Sequence, residues 1–218
     1  MAQSEKSPIS YNKASKFIAS AFGMLVGLAG VEHGIFEILQ GNVPTNGIDI
    51  DAIGDSFTFW EGTGERALTI LPTFLLAGIA SLILGIVVVI WSSLFVQRKF
   101  GASVLLILTF SLFLVGGGMA PIVLSITAVA MATRIDKPLT WWRTHLSTNL
   151  RSSLGKLWPW ILLLFVIIFW STVGVQIFGL PLETYLISTI VGILSIVMVT
   201  LIPASVIVGI VYDTIERI

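Results

Sequence analysis

Residues 102–133 run for 32 positions without a charged side chain or a histidine, and this restricts the chain more than any other feature. A helix rising about 1.5 Å per residue crosses the roughly 30 Å hydrocarbon core of a bilayer in about 20 residues. The stretch is therefore too long for one upright crossing and short for two. Gly116, Gly117, Gly118 and Pro121 lie near its middle. One long tilted helix would hold those glycines at a cost of about 1 kcal/mol each relative to alanine; a hairpin would use them as its turn, between spans at 99–115 and 119–133.

Four other apolar runs, 17–39, 68–91, 158–178 and 182–212, are long enough to cross singly. The first is interrupted by Glu32, His33 and Glu37, and the last carries Pro203, a kink or an end to its embedded part. Composition agrees: 56% of residues are hydrophobic and 11% charged, against about a quarter charged in soluble domains. With no cysteine, a disulfide-stapled module is excluded. Lys plus Arg and Asp plus Glu both number 12, so no bulk charge points to nucleic acid.

The placement of charge decides between the two readings of 102–133, because short cytoplasmic loops collect Lys and Arg. With the hairpin, Lys6, Lys13, Lys16, Arg98, Lys99, Arg134, Lys137, Arg143, Arg151, Lys156 and Arg217 share one side, and Arg66 alone lies opposite. A single span would carry Arg134, Lys137, Arg143, Arg151 and Lys156 across and abolish the asymmetry. The predicted fold is therefore all-α. It is a polytopic integral membrane protein of six transmembrane helices, arranged as three hairpins with outward turns at 41–66, 116–118 and 179–183, plus one interfacial amphipathic helix. Residues 1–16 form a cytoplasmic N-terminal segment and 17–218 a single transmembrane helical domain, with both termini cytoplasmic. The first run also resembles a secretory signal in its flanking Lys13 and Lys16, but Ile35, Phe36, Ile38 and Leu39 extend it to spanning length, so it is expected to be retained.

The outer loop 41–66 is acidic, with Asp49, Asp51, Asp55, Glu61 and Glu65 against Arg66. The full calcium-loop pattern is absent, and these acids are read as solvated surface, with weak cation attraction as the alternative. Phe57, Phe59 and Trp60 alternate with Ser56 and Thr58, which suggests a short strand or an aromatic stretch on the outer interface. On the other side, Leu139, Trp142, Leu146, Leu150, Leu154 and Leu157 recur every three or four residues, predicting one amphipathic helix over 138–157. Trp141, Trp142, Arg143, Arg151 and Lys156 would seat it on membrane lipids, at about 1 kcal/mol per basic residue near anionic headgroups. The competing use is a docking surface for a cytoplasmic partner, with His145 as a contact.

The first span alone carries ionisable groups in its central part. At about 100° per residue, Glu32, His33, Glu37 and Gln40 share an arc of about 140°, and His33 and Glu37, spaced i,i+4, can touch. Beside the arc runs a stripe of Gly23, Gly27, Gly30 and Gly34, the small-residue pattern that lets helices approach closely in lipid. The first helix is thus expected at the centre, with Gly27→Leu or Gly30→Leu more disruptive than Gly85→Leu. Glu32 and His33 fall about 23 Å from the cytoplasmic edge, deep enough to need a partner, a wet cavity or a neutral form. Ser171, Thr172 and Gln176 of the fifth span reach the same depth and are candidates to complete a polar vestibule. His33 and Glu37 are expected to face inward, in reach of each other or of that span.

No cofactor, metal site or catalytic residue is assigned. The arc is too broad for three ligands to converge on zinc. Haem held by two histidines fails because His145 is cytoplasmic. Nucleophile-elbow, dinucleotide and P-loop motifs are missing. Three functional classes remain, in this order: a non-catalytic scaffold or accessory subunit of a membrane assembly, self-associating or joined to partner membrane subunits; a small-ion or solute permeation protein using the outward-facing His/Glu cluster; and a membrane-embedded enzyme acting on a lipid-like substrate.

Overall fold

Small residues along its length allow the first helix to be surrounded. In the computed structural model, which describes residues 11–57, 64–119 and 121–216, α1 (Lys13–Gln40) packs against α2 (Phe74–Ile90), α3 (Gly101–Leu114), α4 (Pro121–Ala132) and α8 (Thr184–Glu216). Lys6, Thr58, Phe59, Trp60, Glu61, Arg217 and the side chain of Asp55 lie outside the described residues. Two glycine pairs set the α1–α2 approach. A Cβ on Gly27 would sit 2.6 Å from the Gly85 carbonyl oxygen, and one on Gly85 equally 2.6 Å from that of Gly27. Gly34 and Gly78 face each other in the same manner at 2.7 and 2.6 Å. Gly85 is therefore as crowded as Gly27, which corrects its expected tolerance. Gly23 and Gly30 share this stripe of α1 and meet Ser92 and Leu112.

The N-terminus of α1 has no cap of its own, since Asn12 spends its side-chain amide on the carbonyls of Arg134, at 2.5 Å, and Lys137, at 2.9 Å. Asp213, near the end of α8, caps it instead. Its carboxylate accepts the backbone N–H groups of Ala14 and Ser15, both at 2.8 Å, and the Ser15 hydroxyl at 2.6 Å. An acid there satisfies orphan donors at the positive end of the helix dipole.

Among the described residues, four helices are long and apolar enough to cross a membrane: α1, α2 with the π-helical turn Trp91–Phe95 that continues it, α7 (Trp158–Phe178) and α8, which runs unbroken through Pro203. The glycines interrupt the uncharged run as expected, but α3 and α4 keep only 14 and 12 residues and are shorter apolar helices. The second span begins at Phe74 and not at residue 68, because Leu68 ends a strand. That strand corrects the all-α expectation. Asp49–Ile53 and Glu65–Leu68 form an antiparallel pair, β1 and β2, with Ile50, Ala52, Ile53 and Ala67 buried beneath it. Phe57, expected in a short strand or an aromatic stretch, lies in a 3-10 turn, and the rest of that stretch falls outside the described residues. The single amphipathic helix over 138–157 is in fact two, α5 (Thr140–His145) and α6 (Thr148–Gly155). Leu146 is extended between them, and Ser147 starts the second by accepting the Leu150 N–H at 3.4 Å. A serine with helical neighbours favours such a cap over helix interior.

The main core lies around the N-terminal two-thirds of α1, where Ile18, Phe22, Leu25 and Val26 meet Val88, Leu105, Leu112, Leu124 and Phe165. Above this core the packing turns polar.

Candidate functional site

The last three turns of α1 bring the polar arc under the β1–β2 hairpin and the Gly116–Gly118 turn. Gln40 fixes the hairpin, its amide donating to the carbonyls of Asp51 at 3.1 Å and Ala52 at 2.9 Å. His33 is 1% exposed. Its Nδ1 lies 3.0 Å from the Ala29 carbonyl oxygen, which can only accept, so Nδ1 carries a hydrogen. Its Nε2 lies 3.3 Å from Oε2 of Glu65, at the start of β2. The contact has the distance of an ion pair without the geometry of a hydrogen bond; an imidazolium facing a carboxylate and a neutral imidazole facing a carboxylic acid are both neutral overall. Glu65 also accepts from Gln176 of α7 at 2.8 Å through Oε1, tying α1 to α7 through the hairpin.

Glu37 is fully buried, and neither of its carboxyl oxygens has a hydrogen-bond partner among the described residues. Contact between His33 and Glu37, allowed by their spacing, is not formed; His33 turns to Glu65 and Glu37 lies under the glycine turn. The glycines are required there. Gly116 (φ +119°) passes so close over the Glu37 carboxyl that a Cβ would overlap it, and a Cβ on Gly118 (φ +86°) would lie 2.7 Å from His33 Nε2. Both φ values fall where side chains are disfavoured. The turn is held by bonds from the Ser81 hydroxyl to the Val115 carbonyl at 3.1 Å and from the Ile70 N–H to the Leu114 carbonyl at 3.0 Å.

Beside this cluster, a cavity of about 520 Å³ opens between α1, α4, α7 and α8. Glu32, His33, Glu65 and Gln176 form its polar end. Thr172 lines it too, though its hydroxyl donates to its own helix at the Ile168 carbonyl, 2.8 Å away. Ser171 is exposed and outside the cavity, so of the three expected vestibule residues the structure gathers two. At the rim Arg66 is clamped by Asp49 in two bonds of 2.9 and 2.7 Å, which raise its pKa further above the ordinary guanidinium value. Glu65 and Asp213 are the two functional-looking acids that sequence reasoning missed. Glu65 falls among the loop acids read as solvated, and its only sequence signal is the apolar Ala67-Leu68 that completes the strand it begins.

At the opposite end of the molecule Trp142 packs on the main core, Trp141 is exposed and stacks on His145 at 4.5 Å, Arg143 and Arg151 are half-buried, and Lys156 is exposed. Among the described residues no group of three His, Cys, Asp or Glu side chains is placed to hold a metal ion. No family model matches the chain, and no curated protein or solved structure is significantly similar to it.

Proposed function

We propose that the chain is a non-catalytic multipass membrane protein, a scaffold or accessory subunit of a membrane assembly, with α3 and α4 completing six spans and both termini on the cytoplasmic side. The observation that carries this reading is the dead end below the polar cluster. Between His33 and the cytoplasmic end of α1 the interior is closed by Phe22, Leu25, Leu105, Leu112 and Phe165, all buried. Of the hydroxyls available to continue a path, Ser125, Thr127, Thr200 and Ser205 each donate to a carbonyl of their own helix at 2.7 to 2.8 Å, and Ser195 lines the cavity itself. A permeation route needs polar groups or water along its length. The outward apolar faces of α7 and α8, with Trp160, Phe178, Ile193 and Ile196 exposed, offer surface to lipid and to a partner subunit.

Proton and monovalent-cation flux into proteoliposomes tests the reading. Tight vesicles with folded protein are expected; flux that His33→Ala and Glu37→Gln abolish would overturn it in favour of permeation. Because the chain has no cysteine, single cysteines report sidedness directly: Thr45→Cys, Met119→Cys and Glu183→Cys are expected to label from outside, Lys99→Cys and Asn149→Cys from inside. Protection of position 119 would remove α3 and α4 as spans.

A further inference from the structure

The cavity between α1, α4, α7 and α8 has one polar end and one apolar flank, and its charge is unbalanced in a definite way. His33 and Glu65 face each other at 3.3 Å and, as an ion pair, compensate one another. Arg66 is committed to Asp49. The remaining charged group on the lining is Glu32, whose carboxylate makes no hydrogen bond among the described residues. The polar end therefore presents one carboxyl, that of Glu32, with no cationic side chain free to pair with it, and an ammonium placed there would hold it ionised. Away from it the wall is Val123, Phe169, Met198 and Ile202, with no charge in the adjoining parts of α4, α7 or α8. The volume of about 520 Å³ is in the range of about 300–1,000 Å³ that small-molecule sites occupy.

We propose that this cavity binds a lipid-soluble amine, a molecule with a protonated primary amino group on a hydrocarbon chain. Its ammonium pairs with Glu32 beside the neutral His33–Glu65 unit, and its chain lies along Phe169, Met198 and Ile202. An anionic amphiphile would place like charges together in a site poor in water, and a neutral one would leave Glu32 unpaired; both are disfavoured. The amino group is the recognised element, and it comes either from a free single-chain amine or from the headgroup of an aminophospholipid in the outer leaflet. The inference rests on the multipass reading, since the chain must be reached from lipid.

The test uses the full chain in phosphatidylcholine nanodiscs, with empty discs correcting for partition, and measures equilibrium binding of dodecylammonium, dodecanol and dodecanoate. Dodecylammonium is expected to bind at least tenfold more tightly than either, and Glu32→Gln to remove that preference while Val199→Phe, which narrows the apolar flank, weakens all binding. Equal binding of the three probes, or a preference that survives Glu32→Gln in folded protein, overturns the proposal. Repeating the measurement with phosphatidylethanolamine in the disc separates the sources: loss of dodecylammonium binding identifies the lipid headgroup as occupant, and unchanged binding identifies the free amine. Outside labelling of Glu183→Cys in the same discs reports on the multipass reading independently, so that correct labelling without amine preference refutes the ligand alone.

Discussion

Helix α1 and the α7–α8 pair are made for opposite surroundings, and their apolarity ranks them the wrong way round. In their most apolar windows α1 is 56% buried, and the segments containing α7 and α8 are each 11% buried, although α1 is the least apolar of the four long helices. In lipid, burying a leucine from the solvent gains little, because the solvent is itself hydrocarbon. What selects the centre is the ability to approach closely and the need to hide polar groups. Gly27 and Gly34 supply the first, and His33 and Glu37 the second. Gly174 and Gly192 on the outer pair have nothing within 4 Å of an added Cβ, so glycine alone does not make a contact face.

The largest expected effect breaks the α1–α2 seam. Gly27→Leu, Gly34→Leu and Gly85→Leu each drive a side chain into backbone and should cost at least the ~1–3 kcal/mol of overpacking, read as loss of the monodisperse peak on size exclusion. Gly174→Leu and Gly192→Leu should elute as wild type. If all five behave alike, the contrast between centre and periphery fails. Next comes the tie between the two regions. Asp213→Ala leaves the α1 N-terminus uncapped and is expected to lower unfolding free energy by about 2–4 kcal/mol, given about 1.5–3 kcal/mol for a bond to a charged group; Asp213→Asn should recover part of the loss in thermal unfolding. Third, Glu37→Met, which removes a buried carboxyl with no partner among the described residues, should stabilise by about 1–3 kcal/mol, whereas Glu65→Met, which strands His33 and takes one bond from Gln176, should destabilise. A drop at Glu37→Met would mean that its carboxyl makes a bond. Smallest of all, Ile196→Ala on the outer face should shift purified protein by within about 0.5 kcal/mol. A marked loss in native membranes alone would place a partner on that face.

The apolar runs were legible because lipid imposes length and neutrality on any helix that crosses it; the run at 158–178 coincides with α7 residue for residue. The loop was misread for a local reason. Asp49-Ile50-Asp51-Ala52 alternates polar and apolar, a strand signal, but the acids drew attention as charges and not as the outer face of a pleat. Glu65 and Asp213 lay beyond reading in principle, since each acts on residues far away in sequence: Glu65 on His33 and Gln176, Asp213 on Ala14 and Ser15. The break at Leu146–Ser147 was hidden by a leucine repeat that continues through it, although Ser147 is a natural helix start.

The clasp of Asp213 on Ala14 and Ser15 also orders events in time. A growing polypeptide emerges N-terminus first, so α1 enters its surroundings with open N–H groups and keeps them open until α8 has been made and Asp213 reaches them. The joint between the two helices therefore closes only after every helix that lies between them in the chain has been laid down.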